Sequence, residues 1–343
     1  MSQDIPKMNK QWVVTGTKGL DSLEFTEGPV PEVGDSQVLY RDISILEGQY
    51  PFLIAPNVVI GSDGAGTVLA VGKHVRRFKP GDQVITFFDQ AHFDGPLDLA
   101  STNTGLGGGV DGTLRTVGAF DEKGLVTLPQ GLSFLEGATL PCAALTAWNA
   151  LNGLPCKVPG PGDWVLTQGT GGVSIFALQF AKAAGARVIA TTSSSEKAKL
   201  LERLGADHII NYRETPDWGD KAKQLTGGRG IDQVIELAGG ASMAQSLNSI
   251  KAGGVISIVG VRNGLPGSED PGFVQSLLRL CITRGILVGS RLQMEDMCRA
   301  MEGSLEKLRP VIDPKVFKLE QAKEAFEYLI STQHQGKVCI EIS

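Results

Sequence analysis

The chain has 343 residues, 42% of them hydrophobic, with 32 basic and 37 acidic side chains and a formal net charge of −5. That balance excludes intrinsic disorder and disfavours nucleic acid as a partner, and the length fits two domains. No apolar run approaches the roughly 20 residues that span a bilayer, and the first eight residues lack a signal peptide's apolar stretch, so no membrane and a cytoplasmic location are expected.

In chain order, the first third reads as short strands between turns. Val58-Val59-Ile60 runs into Gly61-Ser62-Asp63-Gly64-Ala65-Gly66, and Thr67-Val68-Leu69-Ala70-Val71 resumes an extended pattern. Pro80-Gly81-Asp82 and Pro161-Gly162-Asp163 each precede a strand, Gln83 to Phe88 and Trp164 to Thr167. Proline presets the first φ of a type II turn and glycine accepts the positive second one. Residues 89–113 read as a loop. From about 160 the pattern becomes strand and helix in alternation. Strands are predicted at 164–168, 187–192, 208–210, 232–237, 255–260 and 286–289, with helices near 172–184, 195–204, 218–226, 242–250 and 272–283. Such alternation implies a parallel, doubly wound sheet. One more helix, Leu319 to Ser331, and a strand, Lys337 to Ile342, close the chain. The five cysteines (Cys142, Cys156, Cys281, Cys298, Cys339) form no C-x-x-C pair, so neither a disulfide framework nor a thiolate zinc lobe is supported.

The chemistry concentrates where strand 164–168 runs into Gly169-Thr170-Gly171-Gly172-Val173-Ser174, a G-x-G-x-x-S turn opening a helix. In a dinucleotide fingerprint the first glycine makes the turn and the second lets backbone reach the pyrophosphate. The third gives close helix–strand packing, and the helix N-terminus offers free amides. Ser174 replaces that third glycine. The second strand, Arg187 to Thr192, ends without the carboxylate that would hold ribose hydroxyls. Thr192, Ser193 and Lys197 offer donors and positive charge to a 2′-phosphate instead, which points to NADP. A serine N-cap with a solvated Lys197 reads the same residues structurally, and both can hold together.

These segments resemble the zinc-free side of the medium-chain dehydrogenase/reductases, which includes quinone oxidoreductases and related alcohol dehydrogenases. The likeness rests on Tyr40-Arg41-Asp42, the Gly61–Gly66 run, Phe78-Lys79-Pro80-Gly81-Asp82, Leu140 to Ala147, Gly169 to Val173, Leu204 to His208, Ile210 to Arg213 and Gly336-Lys337-Val338. It implies an α/β chain in which a GroES-like β-rich domain, 1–142 and 293–343, carries an inserted Rossmann domain with a doubly wound parallel sheet, 143–292. The cofactor would lie in the cleft between them. It further implies that Ser193, Lys197 and Tyr212 surround the 2′-phosphate, that Ala238, Gly239 and Val261 line the nicotinamide end, and that Thr146 touches the nearby ribose or phosphate. Relatives are commonly dimers, and Cys281 to Ser290 is the segment expected to join two copies into a homodimer.

Where zinc-dependent members place Cys, His and Cys, with Glu beside the His, this chain has Leu39, Ser62 and Cys142, with Asp63. Only one ligand of three survives, so no metal is expected, and Cys142 reads as a buried structural thiol. Gln37-Val38-Leu39 abuts Tyr40-Arg41-Asp42, whereas relatives separate the two segments by a strand's worth of residues. A central strand near 39–40 is therefore expected to be missing or replaced. Glu47-Gly48-Gln49-Tyr50 resembles the Q-G-x-Y of zinc-free enoyl reductases, making Tyr50 the candidate catalytic acid; a half-buried tyrosine at a strand edge is the structural alternative. The expected function is zinc-independent hydride transfer between NADPH and a small quinone, enone or carbonyl. The alternatives are an alcohol dehydrogenase of simple alcohols and aldehydes, or a non-catalytic NADPH-binding protein, some relatives of which bind RNA.

Overall fold

The computed structural model describes residues 8–29, 35–37, 40–260 and 271–342; Leu39 and Val261 lie outside them. The chain divides into two compact units, one of Met1–Leu145, Gly289–Leu305 and Arg309–Ser343, the other of Thr146–Val288 and Glu306–Leu308.

In the first unit, β1 (Met8–Val14) and β2 (Leu23–Pro29) form an antiparallel hairpin. A six-stranded sheet takes β3 (Asp35–Gln37), β4 (Gly64–Thr67), β5 (Gln83–Thr86), β6 (Leu125–Thr127), β13 (Ile312–Lys318) and β14 (Lys337–Glu341) in the order β13-β14-β3-β4-β5-β6. Only the β13–β14 pair is parallel. Helices α1 (Tyr40–Leu46), α2 (Phe134–Gly137), α9 (Arg291–Gly303) and α11 (Ala322–Ile330) belong to this unit. In α11 the buried residues Ala322, Ala325, Phe326 and Leu329 fall at helical spacing and join a core of Trp12, Ile43, Leu46, Val338 and Ile340. Trp12 enters that core without an orphan donor, because its Nε1–H donates to Leu319 O at 2.8 Å.

The strand expected to be missing near 39–40 falls partly on residues outside the described ones, and the strand just before it is short. Strand β3 has three residues and pairs Gln37 and Ser36 with Cys339 and Ile340, and Ser36 and Asp35 with Gly64 and Ala65. A typical strand has five or six. Helix α1 then begins at Tyr40. The extended segment expected at 67–71 is likewise short, with regular pairing ending at Thr67.

In the second unit, strands β7 (Trp164–Gln168), β8 (Arg187–Thr192), β9 (His208–Asn211), β10 (Ile231–Glu236), β11 (Ile250–Ile258) and β12 (Ile282–Gly285) are all parallel, in the order β12-β11-β10-β7-β8-β9. Helix α3 (Leu145–Asn152) leads in, and α4 (Gly172–Ala183), α5 (Ser195–Arg203), α6 (Trp218–Leu225), α7 (Ala241–Ser249) and α8 (Val274–Arg279) alternate with the strands. Short α10 (Leu305–Leu308) completes the set. Central strands buried on both faces read as unbroken apolar runs, as β8 does with Val188, Ile189 and Ala190 at 0% exposure. Two boundaries differ from expectation. The last strand is 282–285 rather than 286–289, and its preceding helix shrinks to six residues because Leu280 adopts positive φ and stops it.

Candidate functional site

Strand order reverses between β7 and β10, which in open parallel sheets marks the ligand crevice at the strands' carboxyl ends. Three segments meet there. The first is the glycine turn after β7. Gly169 has φ +76°, Gly171 is extended, and a Cβ on either would meet nothing within 4 Å. That open concavity faces a helix whose N-terminus no side chain caps, so the first amides of α4 are left for a ligand. Ser174 explains its departure from the fingerprint: it is fully buried, and its hydroxyl donates to Gln168 O at 2.5 Å, stitching the helix to the strand it leaves. Gly169 N donates to Thr191 O at 2.8 Å and ties the turn to the end of β8. The concavity and the amides fit a dinucleotide pyrophosphate.

The second segment is the adjacent ends of β8 and β9. Thr192 pairs with Asn211, and Tyr212 N donates to Thr192 O at 3.0 Å, so Ser193 and Tyr212 leave neighbouring strands at one edge. Tyr212 is exposed and Ser193 half-buried. Ser194 is the N-cap of α5, accepting from Lys197 N at 3.3 Å, which sets Lys197 in the helix's first turn. Thr192 behaves differently from expectation. Its side chain is buried and its hydroxyl donates to Ser194 O at 3.4 Å, so it braces its own loop.

The third segment was not foreseen. Glu236 ends β10 with no exposed surface, and its carboxylate accepts from Gln168 Nε2 at 2.7 Å, from the amides of Ala238 and Gly239 at 3.0 Å each, and from the hydroxyls of Ser246 and Ser242. Gln168 Oε1 in turn accepts from Leu237 N at 3.0 Å. A buried carboxylate needs such a full set of donors to be tolerated. The result fixes residues 237–239 across the switch point, with Gly239 at φ +71°. The available signal was an acid terminating an otherwise buried strand. Thr146, in the first turn of α3, is buried at 4% exposure.

In the first unit, Ser62 and Asp63 are fully buried. Asp63 Oδ2 lies 3.3 Å from Lys337 Nζ, itself 5% exposed, and Asp63 O accepts from the Thr113 hydroxyl at 2.7 Å. Leaving either charge of such a buried pair alone costs about 3–5 kcal/mol. Gly61, at φ +97°, permits the crossing: a Cβ there would stand 2.9 Å from Thr113 Oγ1. Loop residues Gly107 and Gly112 pack on Gly61 so closely that a Cβ on either would fall within 2.7 Å of its backbone, which places part of the loop 89–113 against this corner. Cys142 sits in a π-helical turn, Leu140–Ala144, and is half-buried rather than buried as expected. Among the described residues no three His, Cys, Asp or Glu side chains gather as a metal would require, and the carboxylate of the set already faces an ammonium. This donor set does not fit a catalytic zinc.

Tyr50 is half-buried, but not on a strand edge. It follows α1 and the positive-φ Gly48, its N–H donates to Ser44 O at 3.1 Å, and its ring lies 5.4 Å from Phe52.

Comparison with known proteins gives a consistent result. A family model described as alcohol dehydrogenase GroES-like domain matches residues 32–130, and one described as zinc-binding dehydrogenase matches 172–303. A zinc-type alcohol dehydrogenase-like protein of Schizosaccharomyces pombe is 42% identical over 337 residues, covering 94% of this chain and 96% of that protein. A quinone oxidoreductase of Sus scrofa is 31% identical, covering 89% and 88%. Among solved structures, a protein of Sinorhizobium meliloti 1021 assigned as an alcohol dehydrogenase superposes with a TM-score of 0.88 at 40% identity, covering 98% of this chain and 100% of that one.

Proposed function

Since this chain belongs to the medium-chain dehydrogenase/reductase superfamily, we propose that it transfers hydride between NADPH and a small quinone, enone or activated carbonyl without a catalytic zinc. The observation that carries the zinc-free part is the Asp63–Lys337 pair, beside Ser62 at a position where zinc-dependent members place a ligand. A lysine ammonium already neutralises the one carboxylate of that corner. Acceptors that delocalise the arriving negative charge need less electrostatic help than simple ketones, which favours quinones and enones.

The amides opening α4 and the concavity at Gly169 to Val173 hold the pyrophosphate in this reading. Ser193, Lys197 and Tyr212 hold the 2′-phosphate, and Ala238 and Gly239, shaped by Glu236, line the nicotinamide end. Thr146 supports the nearby ribose. NADPH, when bound, supplies the hydride. Tyr50 delivers the proton that an enone's enolate requires. A homodimer is part of the proposal, supported by an apolar face on and beside α8, where Phe273, Val274, Leu277, Leu278 and Leu280 are each more than 60% exposed. That face lies earlier than the segment expected from sequence, since Ile286 and Val288 are buried.

The test is NADPH oxidation by chelator-treated protein with a quinone, an enone and a simple ketone. Turnover of the first two, unchanged by chelation, is expected. Activity lost to the chelator and restored by zinc would overturn the zinc-free reading, and simple alcohols turning over fastest would favour an ordinary alcohol dehydrogenase. Tyr50→Phe should lower kcat with the enone by about 10²–10⁴-fold while KM holds. Full turnover in that variant would remove Tyr50 from the mechanism.

A further inference from the structure

Within the first unit a cavity of about 240 Å³ opens along β4 and its continuation, Gly64 to Gly72, and is closed on another side by Thr113, Arg115 and Gly118 to Phe120. It includes none of the residues assigned above to cofactor or proton transfer. Its walls are largely aliphatic and aromatic: Val68, Leu69, Val71, Val75, Phe78 and Phe120.

One side chain is out of keeping with those walls. Arg115 is 4% exposed, yet its Nε has no hydrogen-bond partner, and among the described residues its one ion pair is a 3.7 Å contact of Nη1 with the exposed Asp111. Its guanidinium stacks 5.4 Å from the Phe120 ring. A Cβ on Gly118 would come 2.9 Å from Nε, so a glycine is what leaves the guanidinium its room. Burial presses the Arg115 pKa down, against a lesser opposing pull from Asp111. The acid that also lines the cavity, Glu122, is engaged elsewhere, its Oε2 accepting from the amides of Arg76 and Arg77 at 2.8 Å.

A guanidinium carries five donors and stays charged, and a buried cation without a hydrogen-bonded anion is costly. From this we infer that the cavity is a binding site for a small monocarboxylate with an apolar tail, the carboxylate taken by Arg115 and the tail by Val68, Leu69 and Val75. Paired donors of a guanidinium match the two oxygens of a carboxylate. The volume falls just below the roughly 300–1,000 Å³ of sites for drug-sized ligands, so the occupant is compact.

The test uses hexanoate as probe, with hexan-1-ol as its uncharged counterpart, on the full chain, read by thermal melting and by titration calorimetry. Hexanoate is expected to raise Tm and to give a saturable heat, and hexan-1-ol to do neither. Arg115→Met should abolish the hexanoate response and, with no ligand present, melt at or above the wild-type temperature, because a buried charge held by one long ion pair to an exposed carboxylate is gone. Arg115→Lys should retain part of the response. Ala70→Trp, which leaves Arg115 in place and fills the cavity, should also abolish it, and decides the matter should Arg115→Met not fold. Equal responses to hexanoate and hexan-1-ol, no response in the wild type, or a response surviving either Arg115→Met or Ala70→Trp would overturn the inference.

Discussion

Glu236 is the residue whose removal should be felt furthest from its own position. Its carboxylate receives two backbone amides, one glutamine and two serine hydroxyls, all of which shape the loop that carries Ala238 and Gly239. Glu236→Gln keeps the volume but replaces one acceptor oxygen by a donor facing donors. Hydrogen bonds to charged groups contribute about 1.5–3 kcal/mol each, so the variant should lose at least that much in denaturant unfolding and bind NADPH about tenfold more weakly. Unchanged stability would mean that the loop has another support. Lys197 is a test of a different kind. It stands in the first turn of α5 with its backbone held by Ser194, so Lys197→Ala should leave the fold alone. Its NADPH affinity should fall by about tenfold, equivalent to about 1.4 kcal/mol, while NADH affinity stays constant. Equal losses for both cofactors would assign Lys197 a role outside 2′-phosphate recognition.

At the scale of elements, the last strand of the parallel sheet is the informative one. Strand β12 is an edge, paired only with β11, and α8 before it turns Leu277 and Leu278 outward at 69% and 67% exposure. An uncovered apolar edge invites association. The double variant Leu277→Glu, Leu278→Glu should convert a dimer to a monomer in light scattering at micromolar concentration. A wild-type protein that is already monomeric would contradict this reading of the face.

The same elements show what the sequence could and could not carry. Strands β7 and β8 and helices α4 and α5 were legible to within a residue, because apolar runs, glycine stops and a serine cap state them locally. Strand β12 was misplaced because the apolar run is Ile286-Leu287-Val288, whereas the strand itself reads Ile282-Thr283-Arg284-Gly285 and is chosen by pairing with β11. The glycine turn between β7 and α4 was legible for the same local reason. The Glu236–Gln168 bridge was not, since its partners are 68 residues apart in sequence and meet through the parallel pairing of β7 and β10. Arg115 was invisible for a further reason: in sequence it is an ordinary charged residue, and its burial is set by the fold around it.

For the whole molecule, the Rossmann-like unit has a six-stranded parallel sheet, whereas in the GroES-like unit β3 has three residues. The two halves therefore differ in how much they can lose. In the proposed function cofactor binding rests on β7, β8 and β10, each paired on both sides, and acceptor chemistry on a corner anchored by one buried ion pair and crowded glycines. The most direct measurement is the melting temperature of the full chain with NADPH, with NADH and with neither. A ligand at 100 times its dissociation constant stabilises by about 2.7 kcal/mol, a shift of roughly 5–11 °C for a domain of 150–250 residues. A single cooperative transition raised by NADPH and left in place by NADH at the same concentration is expected. A larger shift with NADH, or no shift with either, would contradict it.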